Sequence, residues 1–306
     1  MTFYTVEDTA ATTPAATAPT APLPPVVARY QHPWLFYGIA TAIPWALWFT
    51  AGWISHHPDA LPVAPAWVAT LGVLGLITPL VIAARLVSRD PALIADTRRR
   101  LTNIGSVGAR HWVLALLILP ASLLAATAVS VLLGYSPDQF LPRGTTSFTA
   151  GALNAFVVIG VAAVVEELAW KGYGTDALAS RWSLWRTTCV FTVIWALWHL
   201  PLISINGYYQ AELVETGWLA TVTFLGSILP FMVIMNWLYY RAHRCIWVPV
   251  VFHLSANYGN ELLATHPDTK AIQAVMLVVL AGIIVWRERK LFFTRPEAAC
   301  PPPSAH

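Results

Sequence analysis

Eight apolar runs, most of them about 20 residues long, limit what this chain can fold into more than any other feature. They lie near Trp34–Ile54, Ala66–Arg85, His111–Gly134, Ala150–Leu178, Trp185–Ile203, Trp218–Tyr240, Ile246–Tyr258 and Ala271–Trp286. A run of that length matches the hydrocarbon thickness of a bilayer, and in lipid each backbone N–H and C=O must be satisfied within the segment, so the runs predict helices. Composition agrees: 11% of the 306 residues are charged and 57% are hydrophobic, against about 25% charged in a soluble domain. The expected fold is an all-α integral membrane protein of about eight transmembrane helices, with a core bundle that forms an intramembrane polar chamber.

Charge placement orients the expected spans. With an even number of spans and both termini cytoplasmic, only Arg143 and Lys270 of the 18 basic residues are left on the far side, as the positive-inside rule asks. A multi-pass protein of the cell membrane follows. The basic residues cluster at span ends and form no stripe, so the excess of +3 points to lipid headgroups and not to nucleic acid. The loop 87–110 is expected to lie against such headgroups. Cys189, Cys245 and Cys300 show no paired spacing and read as inert thiols. Four segments are expected: a flexible Thr/Ala/Pro-rich tail at 1–33, three helices and a basic loop at 34–147, a catalytic core at 148–260, and a last helix with a cytoplasmic tail at 261–306.

Ionisable groups inside a span are costly, by at least about 2.5–3.5 kcal/mol each, so they are presumed paired or functional. They concentrate in three runs. The fourth holds Glu166, Glu167 and Lys171, the fifth Trp195 and His199, and the seventh His253 and Asn257. Glu167 and Lys171 are four apart, which predicts a pair on one helix face. Glu166 is rotated about 100° away, without such a partner, and is the carboxylate left for chemistry. His253 and Asn257 share a face, and Trp195, four before His199, is read as packing against it. The chamber is expected to open toward the cytoplasm. No HExxH run, second membrane aspartate or Gly-x-Ser-Gly motif is present, so other intramembrane hydrolase schemes find no residues here.

The ordered set Glu166-Glu167-x-x-x-Lys171, Trp195-x-x-x-His199 and His253-x-x-x-Asn257 resembles the EExxxR, FxxxH and HxxxN motifs of the CPBP family, the CAAX-prenyl-protease and bacteriocin-processing membrane peptidases. Lys171 stands where the family has Arg, and Trp195 where it has Phe. The resemblance implies an intramembrane endopeptidase acting on a membrane-associated peptide or protein. In that reading Glu166 and His199 activate a water, while His253 and Asn257 hold the oxyanion or help to hold a metal. Glu166, His199 and His253 would also make an acceptable Zn2+ set with an open position, so the cofactor question stays open at this level. The alternative is a non-catalytic scaffold serving immunity or binding an envelope partner.

Overall fold

The computed structural model describes residues 23–144 and 154–294. Most of the expected tail, together with Arg295 and Cys300, lies outside them. The part of segment 1–33 that is described is ordered. Pro25–Arg29 forms a 3-10 turn, and Tyr30 behind it is fully buried.

The protein is a multi-pass, all-α membrane protein. Helices α1 (Pro33–His56) and α2 (Ala64–Val87) form an antiparallel pair. Small or narrow residues are buried on both helices, Ala40, Pro44 and Ala51 on α1 and Gly75 and Pro79 on α2, while Gly52 and Gly72 leave room for Ser204 and Tyr208. Small residues let helices approach closely where lipid offers no hydrophobic drive. Trp48 uses the room: its indole N–H donates to the Gly72 carbonyl at 3.1 Å. A Cβ on Gly75 would fall 2.2 Å from the Trp48 indole nitrogen. Gly75→Ala is therefore expected to cost about 1–3 kcal/mol, read as a lower thermal midpoint in detergent. An unchanged midpoint would show that the α1–α2 seam has slack.

A short amphipathic helix, α3 (Pro91–Thr102), capped by the Asp90 carboxylate on the Ala92 N–H, leads to α4 (Ala109–Leu132). Then come α5 (Ala155–Ala169), a π-turn (Trp170–Gly174) and α6 (Thr175–Ala179). Helix α7 (Leu184–Trp198) follows, then the short α8 (Tyr209–Thr216) and the long α9 (Trp218–Arg241). Helices α10 (Trp247–Leu262), α11 (Pro267–Arg287) and α12 (Arg289–Phe293) complete the described chain.

Six helical segments are long and apolar enough to span a bilayer: α1, α2, α4, Leu184–Ser204 containing α7, α9 and α11. The other two expected spans fall short for a physical reason. Helix α5 has 15 residues before the π-turn and ends on Glu166 and Glu167, while α10 has 16 residues including His253, Ser255 and Asn257. These polar helices are sheltered by neighbours. α5 packs on α2 and α10, and α10 also on α4 and α9.

Side-chain ties define two ends of the bundle. At one, Arg29 pairs with Asp90 at 2.7 Å, Arg181 donates to the Gln31 carbonyl, and Arg241 pairs with Glu288. At the other, Asn206 donates to the Ser55 carbonyl, Tyr135 to Asp268, and the Arg143 N–H to the Leu262 carbonyl. We call these the basic end and the opposite end. The loop 87–110 does not simply coat headgroups. Arg98 and Arg99 are exposed, but Arg100 is fully buried.

Candidate active site

Glu166 and Glu167, both buried, sit at the end of α5. Adjacent helical residues point about 100° apart, so each meets a different neighbour. The Glu166 carboxylate accepts the Trp195 indole N–H at 3.0 Å. The Glu167 carboxylate lies 2.9 Å from Nδ1 of His253, whose N–H donates to it. The expected Glu167–Lys171 pair is absent. After Ala169 the backbone enters the π-turn, whose i→i+5 bonding takes residues four apart out of register. The Lys171 ammonium donates instead to Asn236 at 2.7 Å and lies 3.4 Å from the Thr175 hydroxyl, and Asn236 in turn donates to Thr188. Asn236 was not foreseen. The signal for it is a lone amide in the otherwise apolar α9.

His199 closes α7 at its C-terminus, where Pro201 stops the α-helix and a 3-10 turn begins. Its Nδ1 lies 2.7 Å from the Trp195 carbonyl. A carbonyl only accepts, so Nδ1 carries the proton and Nε2 is left basic. Trp195 is more than packing. Besides its bond to Glu166, its ring centroid lies 4.1 Å from that of His199 and 6.3 Å from that of His253. Glu166, His199 and His253 thus converge on one tryptophan. Phe231 covers His253 from α9, ring centroids 5.7 Å apart.

A cavity of about 380 Å³ is lined by Trp195, Phe231, His253 and Asn257 and continues to Arg143, Glu212 and Lys270. Asn257 is one turn from His253 along α10 and keeps its amide free of side-chain bonds among the described residues. The direction differs from the expectation. The cavity reaches toward the opposite end, the one that holds Arg143 and Lys270. The basic end is closed by buried ion pairs joining Arg100 and Arg244 to Asp96 and Asp176. Tyr209, on α8 at the cavity wall and outside the spans, has its hydroxyl pushed up to about 12, chiefly by burial. It stays a proton donor at any physiological pH.

The proposed metal set is not assembled. Among the described residues no three His, Cys, Asp or Glu side chains form a group able to hold a metal ion. Glu167 and the Trp195 carbonyl hold the Nδ1 atoms of His253 and His199, which leaves both Nε2 atoms free to act as ligands, but Glu166 is turned to the indole.

Residues 148–259 match the family model described as type II CAAX prenyl endopeptidase Rce1-like. The chain is also 30% identical over 273 residues to CAAX prenyl protease 2 of Methanococcus maripaludis, covering 88% of this chain and 99% of that protein. The chain belongs to the CPBP family. The similarity to this relative extends well beyond the 148–259 core, so it takes in α3, whose Asp96 and Arg100 help to close the basic end of this CPBP protein. A membrane peptidase is the activity class that the family membership supports.

Proposed function

We propose that the protein is an intramembrane endopeptidase that cleaves a membrane-associated peptide or protein of the CAAX-protease type, using a water activated by Glu166. The observation that carries this reading is the meeting of Glu166, His199 and His253 around Trp195, with Trp195 and His253 lining one cavity and Glu166 and His199 directly behind the indole. Glu166 takes a proton from the water, which the basic Nε2 of His199 orients, and the resulting hydroxide attacks the scissile carbonyl carbon. The developing oxyanion receives hydrogen bonds from the Asn257 amide and from Nε2–H of His253 as an imidazolium paired with Glu167. As the tetrahedral species collapses, the C–N bond breaks and the proton held by Glu166 passes to the leaving amine. Lys171, Asn236 and Thr188 stabilise the base of α5 and take no part in the chemistry. In this reading both termini face the cytoplasm, a side that the excess of basic residues at that end favours.

The direct test uses purified protein in liposomes with a fluorogenic, prenylated C-terminal peptide and its unprenylated counterpart. Cleavage of the prenylated reporter is expected, and failure to cut either peptide or a panel of membrane-anchored ones would sink the reading. Chelator treatment is expected to leave the rate unchanged, because the described residues hold no three-donor group that could lose a metal. A rate that falls with EDTA and returns with Zn2+ would show that Glu166, His199 and His253 close around an ion.

A further inference from the structure

The π-turn that follows the two glutamates is held from outside the catalytic helices, by an arginine on α3. Arg100 is fully buried; its Nε pairs with Asp96 at 2.9 Å, and its two terminal nitrogens reach six further partners. One terminal nitrogen donates to the Lys171 carbonyl at 2.6 Å, to Tyr239 at 2.8 Å and to Asp176 at 3.1 Å. The other donates to the Gly172 carbonyl at 2.9 Å, to Tyr30 at 2.5 Å and to Thr97 at 3.1 Å. Two of these acceptors are consecutive backbone carbonyls inside the π-turn. A π-turn widens the helix and leaves its carbonyls poorly served by the chain itself, and a planar fork with several donors can serve two of them together. Asp176, in the Gly172-Tyr173-Gly174-Thr175-Asp176 stretch, is the counter-ion that keeps this arginine in place, and Tyr239 and Tyr240 both donate to it.

The neighbouring Arg244 is a natural control. It is equally buried and bonds the same two carboxylates, Asp96 at 2.8 Å and Asp176 at 2.6 Å. Its guanidinium bonds no carbonyl of the π-turn. The two arginines share the ionic cluster, and only one of them grips the backbone four and five residues beyond Glu167.

We infer that Arg100 is a positioning residue for the hydrolytic site, acting through the Lys171 and Gly172 carbonyls to set the phase of the helix end that carries Glu166 and Glu167. The inference rests on the peptidase reading above. Glu166 must face Trp195 while Glu167 faces His253, and that division depends on where the π-turn begins. Loss of the grip lets the turn relax toward an α-helix, rotating both carboxylates relative to α7 and α10.

The experiment compares Arg100→Lys with Arg244→Lys in the liposome assay, alongside the thermal midpoint and Glu166→Gln. Arg100→Lys is expected to lower kcat by about tenfold to hundredfold with KM unchanged, since a displacement near 1 Å of a catalytic group has effects of that size. Arg244→Lys is expected to lower the midpoint similarly and leave kcat within about twofold. Equal kcat in Arg100→Lys and the parent protein overturns the inference, and so do parallel losses in both variants, which mean stability alone. If Arg100→Lys does not fold, Tyr239→Phe serves, because its hydroxyl lies 3.3 Å from the same Lys171 carbonyl. A fall in kcat of roughly threefold or more supports the inference there, and an unchanged kcat overturns it. Undiminished activity in Glu166→Gln would instead remove the peptidase mechanism, so the two failures are told apart.

Discussion

Glu166→Gln should reduce turnover of a membrane-anchored peptide by about a hundredfold to ten-thousandfold, the range that a positioned general base supplies. Glutamine keeps the size of the side chain and an oxygen to accept the Trp195 indole N–H, now at 3.0 Å. Folding and membrane insertion should therefore survive, with a thermal midpoint close to that of the parent protein. KM should change little, because Glu166 acts on the water rather than on the substrate. Glu167→Gln differs in kind: it leaves the base in place but takes the negative charge from His253, so its loss should be smaller and fall on oxyanion stabilisation. A folded Glu166→Gln protein that still cleaves at the parent rate removes Glu166 from the mechanism. A cellular phenotype that persists in the cleavage-dead variant would favour a binding role for the same scaffold.

Asp176→Ala should be the most destabilising substitution in the protein, by about 3–5 kcal/mol, the cost of stranding a buried charge. The Asp176 carboxylate has no exposed surface and accepts from Arg100, Arg244, Tyr239 and Tyr240. Removing it leaves two buried guanidinium groups with Asp96 as their remaining carboxylate. Its measure is the yield of folded protein and the midpoint in detergent, and a parent-like midpoint would mean that water enters the cluster freely. Asp96, on α3 outside the spans, adds a pH signature. Burial opposes its charge, but Arg100 and Arg244 overcome this and hold it at about 2. An unfolded aspartate titrates near about 3.9. The stability from Asp96 is thus fully present above that value and lost as the pH falls toward 2.

Much of the candidate site is legible in the sequence. Charges are so costly in lipid that Glu166, Glu167, His199 and His253 stood out against an apolar background, and the spacing of His253 and Asn257 put them on one helix face. Pairings were harder to read. Helical spacing assigned Glu167 to Lys171, yet the π-turn broke that phase and His253 took the carboxylate. Trp195 looked like filler because nothing in its spacing reveals an indole N–H aimed at another helix. The direction of the cavity was misjudged for a related reason. A basic loop reads as a solvated one, and only the packed structure shows Arg100 drawn inward to seal that end.

The amino-acid order by itself determined a multi-pass helical membrane protein and which helices carry the candidate site residues, because bilayer thickness and the cost of buried charge act on each segment locally. Tertiary structure alone decided which partner each carboxylate meets, which end the cavity reaches, and that Arg100, 71 residues before Lys171, holds the turn beneath the site. Those outcomes depend on side chains from distant segments competing for the same few polar atoms, and no local pattern records who wins.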